Sequence, residues 1–487
     1  MSDPVDVGLA EIESRTAGDR IIRGGTLRAA GYLLSTGATA IAFALLLRHL
    51  GVVDFGKFST VIALVTIASG LSEAGLQVIG LRRFTVANEQ QRRRLLGNLI
   101  GIRLAFTPVA VGACALFALV ANYSSVMVVG TLVAGAGAMI AVVSGTLAIP
   151  LAMHLRYIAL TFVEVSRQLS IAIGIVLLVA VGAGLGAFFA VYLAAGVAML
   201  ILTAAVVGRR YVVLPHMNWE EWRPILVDAA PLALAIAINV LYLKVLIVMA
   251  SLLTSGEELG LFATASRVTE VLVALPTFMV GVAFPLLAHA GKHDEPRLAY
   301  ALQRIAEVTL LVATGFVVIL VVAAEPIIQV FGGSGYEGAV PVLRIQALAL
   351  LGASMTQAWI QAIVAVEAQR ALVAVNALAL GSVLVLGAVF IPTLDAQGAA
   401  IAAACGEAIM AMAMLRALVR ARSGLRPDLR FSWRVLLAGG IALLPMLLPI
   451  PPAVEGALAV LVYAGAAFAL RAVPVEVIGA LVPGRRP

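Results

Sequence analysis

The chain has 487 residues and a formal net charge of +7; 62% of its residues are hydrophobic and only 12% are charged. Its mean hydropathy is +1.06, whereas about a quarter of the residues in an ordinary soluble domain are charged. This composition excludes a soluble globular protein and indicates a chain that lies mostly within a membrane.

Long apolar stretches follow one another along almost the whole chain. A helix needs about 20 apolar residues to cross a bilayer, and a helix satisfies its own backbone groups there. The stretches therefore predict an all-α polytopic membrane protein with about 14 transmembrane helices. We expect these helices at 25–47, 57–80, 96–120, 125–149, 157–181, 184–207, 226–253, 260–288, 301–324, 341–365, 371–392, 397–415, 435–450 and 454–470.

The basic residues fall on alternate sides of the predicted helices. One side receives 26 Lys and Arg residues, including five arginines from Arg82 to Arg94 and six from Arg416 to Arg434, whereas the other side receives only Arg48 and Lys57. By the positive-inside rule the 26 face the cytoplasm. We therefore expect a multi-pass protein of the bacterial cytoplasmic membrane with both termini in the cytoplasm. Topology and anionic headgroups then explain the basic excess, and no nucleic-acid partner is expected.

The sequence contains an internal repeat. The segment DFGKFSTV at 54–61 aligns with ELGLFATA at 258–265. This repeat predicts two six-helix lobes around a central cavity, with a helix pair added at the carboxy terminus. The predicted domains are a cytoplasmic segment at 1–24, an amino-terminal lobe at 25–208, a basic cytoplasmic linker at 209–224, a carboxy-terminal lobe at 225–420, and the accessory helix pair with a cytoplasmic tail at 421–487.

Several short motifs in a fixed order resemble a known family. They are LRHLGVVDFGKFS at 47–59 with EAGL at 73–76, GLFATASR at 260–267, AEPIIQVFG at 324–332 with Tyr336, and QGAAIA at 397–402 with Glu407. Together they resemble the bacterial polysaccharide transporters, the Wzx-type flippases of the multidrug/oligosaccharidyl-lipid/polysaccharide exporter superfamily. The resemblance implies a flippase for an undecaprenyl-diphosphate-linked oligosaccharide, such as an O-antigen, capsule or exopolysaccharide repeat unit. A polysaccharide polymerase and glycosyltransferases are its expected partners, beside membrane lipids.

Basic residues inside the predicted helices are the first candidates for a site. A charge near the bilayer centre costs roughly 2.5 to 3.5 kcal/mol, so such a residue usually faces a wet cavity or a partner. Lys244 and Arg267 are expected at similar depth, which suits a lipid diphosphate bound in a cavity. Lys244 has no acid three or four residues away, whereas Glu270 lies one helical turn from Arg267 and could simply pair with it. The cationic cavity candidates are Lys244, Arg267, Arg28, Arg103 and Arg344.

Arg28 and Arg103 lie near the cytoplasmic ends of their predicted helices. They either extend to the headgroups or line the inner mouth of the cavity. Both alternatives stay open at this stage.

Acidic residues inside the predicted helices allow two interpretations. They could carry coupling to a proton or sodium gradient, or they could form structural hydrogen bonds between helices. The candidates are Glu73, Asp228, Glu270, Glu307 and Glu407. No catalytic residue, metal site or bound cofactor is expected, because no nucleophile with a base and no set of metal ligands occurs at a recognisable spacing.

The motif GNLIG at 97–101 carries two glycines one helical turn apart. Small residues at this spacing let two membrane helices approach closely. We therefore expect a tight helix contact there.

Three functions from different classes remain possible on the sequence alone. The first is the lipid-linked oligosaccharide flippase, working by alternating access of the two lobes. The second is a cation-coupled drug or metabolite antiporter of the same superfamily, which predicts a cavity with little positive charge. The third is an enzyme of polysaccharide assembly, which would call for a large catalytic loop outside the membrane. The predicted outer loops are too short for it, so we expect no enzyme.

Overall fold

The computed structural model describes residues 15–73, 75–154, 156–208, 211–273, 295–366, 368 and 370–473. Side chains are described from residue 31 onward, with a few exceptions. These residues form helices and short connections without a strand. The helices are α1 Arg15–Glu73, α2 Leu76–Val86, α3 Glu89–Val120, α4 Ser125–Leu147, α5 Ile149–Met153, α6 Tyr157–Ala180, α7 Leu185–Val207, α8 Trp219–Leu253, α9 at 256–273, α10 Glu295–Val322, α11 Ala324–Phe331, α12 Ala339–Ala347, α13 Ala349–Ala365, α14 Arg370–Ala421, α15 Arg430–Ile441 and α16 Pro452–Ala469.

The protein is a multi-pass membrane protein. Among the described residues, ten helical stretches are long and apolar enough to cross a membrane. Two of them, Leu34–Val86 and Arg370–Ala421, have 53 and 52 residues, more than twice the length that a bilayer requires. The predicted span 260–288 is described only as far as residue 273. The all-helical membrane fold is therefore confirmed, and the number of about 14 spans stays a prediction.

Helix α14 holds two of the predicted spans and folds back on itself. Its backbone leaves the helical region at Asp395, where φ is 49°. Beyond this kink Gly398 lies against the Phe390 carbonyl, and Gly406 lies against Val383. In a straight helix Val383 and Gly406 would be about 34 Å apart, so α14 consists of two antiparallel helices. Helix α1 has a similar kink at Gly51, where φ is 71°.

The chain divides into two compact units. The amino-terminal unit consists of Met1–Leu46 and Leu64–Ile236. Within it α4 crosses α7 so closely that Gly137 contacts the backbone of Tyr192 and Gly196, where no side chain would fit. A second packing region of this unit lies between α2, α3 and the start of α8. Its buried apolar cluster includes Leu76, Phe84, Leu96, Leu99, Tyr211 and Trp222.

The carboxy-terminal unit consists of Leu47–Ala63 and Ala237–Pro487. In it the last two helices pack on α10. The Tyr463 hydroxyl donates to the Leu311 carbonyl at 2.6 Å, and Gly439 of α15 leaves room for Thr314. Two apolar clusters between α10, α15 and α16 bury Leu310, Val318, Val435 and Ala459.

The hairpin at 47–63 belongs to the carboxy-terminal unit although the residues on either side of it do not. Its Gly56 lies opposite Gly260, the residue that the repeat makes its equivalent; a Cβ on Gly56 would lie 3.0 Å from the Gly260 nitrogen. The Tyr336 hydroxyl donates to the Leu47 carbonyl at 2.8 Å. Arg48 donates to the Val330 carbonyl at 2.6 Å. The two copies of the repeat motif thus cross with their backbones close together. Each copy has a glycine at the crossing because a side chain would not fit there.

The linker after α7 packs on α3 within the amino-terminal unit. The His216 nitrogen donates to the Gly97 carbonyl at 2.9 Å. A Cβ on Gly101 would lie 2.9 Å from the Trp222 ring and still closer to the His216 carbonyl. Arg94 and Asn98 donate to the Glu221 carboxylate. The close contact predicted at these glycines is present, but its partners are the irregular segment at His216 and the first turn of α8 rather than the middle of a second membrane helix.

Candidate functional site

A cluster of three charged side chains joins α8 and α9 within the carboxy-terminal unit. The Lys244 ammonium donates to Glu270 Oε1 at 2.6 Å, and Arg267 Nη1 donates to Glu270 Oε2 at 3.1 Å. The side chains of Lys244, Arg267 and Glu270 are 20%, 28% and 38% exposed. One carboxylate therefore binds two cations, and the cluster carries a formal charge of +1.

Lys244 has no acid three or four residues away in the sequence, but Glu270 pairs with it in the structure. Glu270 is 26 residues away and lies on the neighbouring helix, so no test of spacing along one helix detects it. The pairing of Arg267 with Glu270, which the one-turn spacing suggested, is present. The structure thus brings together the two basic residues that the sequence placed at similar depth, together with an acid that neutralises only one of them.

The cluster has the chemistry of an anion site. Glu270 holds the two basic groups beside each other, and together they carry one more positive charge than its carboxylate neutralises. A guanidinium has a planar set of N–H groups that matches phosphate oxygens, and an ammonium adds a second positive charge close by. All three side chains are partly exposed. The assignment of Lys244 and Arg267 to substrate binding stays a prediction.

Glu407 has the opposite surroundings in the same unit. The buried Tyr242 hydroxyl of α8 donates to its carboxylate. Among the described residues no basic side chain forms an ion pair with Glu407. Its backbone packs on Gly352, where a Cβ would lie 2.5 Å from the Glu407 carbonyl carbon. This carboxyl therefore has a neutral hydroxyl as its hydrogen-bond partner, whereas Glu270 has two basic partners.

Two other acids form ion pairs, Asp228 between two helices and Glu307 within α10. Asp228 accepts from Arg83, which also donates to the Pro224 carbonyl at 2.9 Å. Glu307 accepts from Arg304 at 2.6 Å and from the Gln303 amide at 2.9 Å. Of the two alternatives for the acids, the structural one fits Asp228 and Glu307 best.

Arg103 lies inside the amino-terminal unit. Its side chain is 2% exposed and does not extend to the membrane surface. One guanidinium nitrogen donates to the Val142 carbonyl, and the nearest acid that acts on it is Glu73. The α1 helix ends at Glu73, before a left-handed Gly75 at which α2 begins. Glu73, at this break between helices, thus acts on Arg103 electrostatically.

The remaining two cationic candidates are Arg344 and Arg28. Arg344 Nε donates to the Val321 carbonyl at 3.1 Å and the residue is half-buried. Arg28 belongs to helix α1, but its side chain lies outside the described part of the chain.

A family profile described as polysaccharide biosynthesis protein matches residues 21–290, more than half of the chain. No curated protein sequence matches the chain. The profile includes the hairpin, the linker and the Lys244–Glu270–Arg267 cluster.

Solved structures of transporters share the fold at low sequence identity. The lipid II flippase MurJ, in an inward closed conformation, matches with a TM-score of 0.77 and 13% identity, over 93% of this chain and 100% of that one. An inward-facing multidrug resistance transporter of the MATE family in the MOP superfamily matches with a TM-score of 0.65 and 15% identity, over 80% and 95%. A MOP superfamily transporter from Pyrococcus furiosus, described as having a binding pocket of reverse polarity, matches with a TM-score of 0.55 and 16% identity, over 84% and 96%. The chain therefore has the MOP transporter fold, and the folds it resembles are those of transporters and flippases rather than of enzymes.

Proposed function

The protein belongs to the family of polysaccharide biosynthesis proteins, and we propose that it is a flippase that moves an undecaprenyl-diphosphate-linked oligosaccharide across the bacterial cytoplasmic membrane. The oligosaccharide is the repeat unit of an O-antigen, a capsule or an exopolysaccharide. The MurJ-like fold supports a lipid-linked substrate. A polysaccharide polymerase and glycosyltransferases would act after and before this step.

The Lys244–Glu270–Arg267 cluster is the observation that carries the proposal. A lipid-linked diphosphate is an anion that has to pass through an apolar membrane, so its carrier needs more positive than negative charge where the diphosphate binds. The cluster offers an excess of one positive charge in a partly exposed position. A carrier for cationic drugs would favour the opposite sign.

The wider mechanism is alternating access by two six-helix lobes in a frame of about 14 spans. The predicted helices have 26 Lys and Arg residues on one side and two on the other, and this asymmetry supports cytoplasmic termini. Glu407 is the best-supported coupling group, because a phenol is the partner of its carboxyl and no basic side chain of the described residues forms an ion pair with it. Proton binding to this carboxyl would offset its desolvation, which couples its protonation to the conformation that buries it.

The experiment compares surface glycan in cells that carry Lys244→Ala, Arg267→Ala or Arg304→Ala. Removing a charge-assisted hydrogen bond to the substrate costs roughly 1.5 to 3 kcal/mol, so the first two changes should lower export about 10- to 100-fold. Arg304→Ala is the matched control, since Arg304 also pairs with a glutamate three residues on. It should change export less than about twofold. Equal losses in all three variants, at equal amounts of protein in the membrane, would contradict the proposal.

A cation-coupled antiporter of the same superfamily is the second candidate. The Glu407–Tyr242 pair favours it, because a buried acid without a basic partner is suited to carry a proton or a sodium ion. Normal surface glycan in a strain that lacks the protein, combined with raised sensitivity to cationic drugs, would support the antiporter over the flippase.

A further inference from the structure

The connection between α14 and α15 carries a dense set of basic side chains. Between residues 416 and 434 there are six arginines and a single acid, Asp428. Five of these arginines are exposed. We call this set the arginine ledge; it consists of Arg416, Arg420, Arg422, Arg426, Arg430 and Arg434.

Hydrogen bonds and a buried leucine hold the backbone of the arginine ledge in place. The Gln303 side chain of α10 donates to the Asp428 carbonyl at 3.0 Å and accepts from the Asp428 nitrogen at 2.9 Å. Leu425 is fully buried. Asp428 Oδ1 accepts from the Arg430 nitrogen at 2.9 Å. The acid within the ledge is therefore used to hold the backbone at the start of α15, and the arginines keep a fixed arrangement.

Apolar side chains lie beside these charges. Leu429, Trp433 and Leu436 are 49%, 54% and 47% exposed. The Arg434 guanidinium lies 5.7 Å from the centre of the Trp433 ring. An exposed tryptophan among arginines is typical of the level at which headgroups meet acyl chains, where the ring is half-immersed and the cations meet phosphates.

We propose that the arginine ledge is a binding surface for anionic phospholipids of the leaflet that it faces. The phosphate groups bind at Arg426, Arg430 and Arg434, and the acyl chains lie against Trp433 and the exposed leucines. Charge complementarity carries this assignment, because the ledge has five more basic than acidic residues and guanidinium groups pair with phosphate through two N–H donors. The bound lipid would hold the accessory helices α15 and α16 at a set depth in the membrane.

The test measures binding of a fluorescent short-chain phosphatidylglycerol to the purified protein in neutral detergent, by anisotropy, with phosphatidylcholine as the uncharged comparison. The change Arg426→Gln, Arg430→Gln and Arg434→Gln, made together, should weaken phosphatidylglycerol binding about 100-fold, because each arginine near anionic lipid contributes roughly fivefold. The triple change to Lys should retain most of the binding, since the charges stay. Raised salt should weaken binding to the unchanged protein.

The matched control removes three exposed arginines of the amino-terminal unit, with Arg82→Gln, Arg93→Gln and Arg223→Gln made together. It takes away the same charge and should change binding less than about threefold. If both triple variants lost the same affinity for phosphatidylglycerol, binding would depend only on the total positive charge of the protein, and the proposal would be overturned. Stronger displacement by undecaprenyl diphosphate than by unlabelled phosphatidylglycerol would assign the ledge to the transported lipid and also overturn it.

Discussion

Two carboxylates of the carboxy-terminal unit, Glu270 and Glu407, are surrounded in opposite ways. Glu270 accepts from both Lys244 and Arg267 and is partly exposed. Glu407 accepts from the Tyr242 hydroxyl and lies against a tightly packed helix. The first carboxylate stabilises an excess of positive charge, whereas no basic side chain in the described part of the chain forms an ion pair with the second. The same residue type thus supports anion binding at one place and proton or cation binding at the other.

Of the changes that test this difference between the two carboxylates, Glu407→Gln should have the largest effect on transport. Glutamine keeps the shape and a hydrogen bond to Tyr242 but cannot exchange a proton. In proteoliposomes that contain lipid-linked oligosaccharide, the stimulation of transport by a proton gradient should fall at least about tenfold. Glu270→Gln should keep that stimulation. If a proton gradient still stimulated transport by the Glu407→Gln variant, this carboxyl would not be the coupling group.

Gly352→Ala should disturb the surroundings of Glu407 through packing alone. The added Cβ would lie 2.5 Å from the Glu407 backbone, so α13 and α14 have to separate. We expect a loss of about 1 to 3 kcal/mol in stability, measured by thermal unfolding in detergent, together with weaker coupling. Gly381→Ala is the control on α14, because its Cβ would meet nothing within 4 Å. Equal stability of the two variants would show that this crossing is not tight.

Tyr242→Phe should have an intermediate effect. It removes the hydroxyl that donates to Glu407 and leaves the ring in place. Because one hydrogen bond to the carboxyl is lost while the packing stays, gradient-driven transport should fall about two- to tenfold, less than in Glu407→Gln. Transport equal to that of the unchanged chain would contradict the assigned hydrogen bond.

Asp228→Asn should have the smallest effect. The Arg83–Asp228 pair is partly exposed, and such pairs contribute about 0 to 1 kcal/mol. Transport should change less than about twofold, and a small loss of stability should disappear at high salt. A loss of coupling as large as that expected for Glu407→Gln would move Asp228 from the structural acids to the coupling acids.

The membrane class, the family and most helix positions could be predicted from the sequence, because apolar length and charge asymmetry act locally along the chain. Contacts between distant residues could not. Lys244 has no acid three or four residues away in the sequence, but Glu270 pairs with it from the next helix. Gly97 and Gly101 were correctly recognised as a close contact, yet their partner is the linker at His216. Spacing shows which face of a helix a residue occupies, but not which segment covers that face.

The two long helices show the same limit. Hydropathy separated the two spans within α14, and the structure has a kink at Asp395 between them rather than an open loop. The repeat motif was visible at Gly56 and Gly260, but its reason is the backbone crossing between these two residues. A pattern that recurs in sequence can therefore mark a contact between its own copies.

The most direct test of the charge cluster is the affinity of purified protein for an undecaprenyl-diphosphate oligosaccharide, measured for the unchanged chain and for Glu270→Gln. If Lys244 and Arg267 bind the diphosphate, removing the acid raises the local charge from +1 to +2, so binding should tighten by about fivefold or more at low salt. Lys244→Gln in the same assay should weaken it. Weaker binding in Glu270→Gln, at unchanged thermal stability, would show that the three side chains do not form a diphosphate site and would contradict the account.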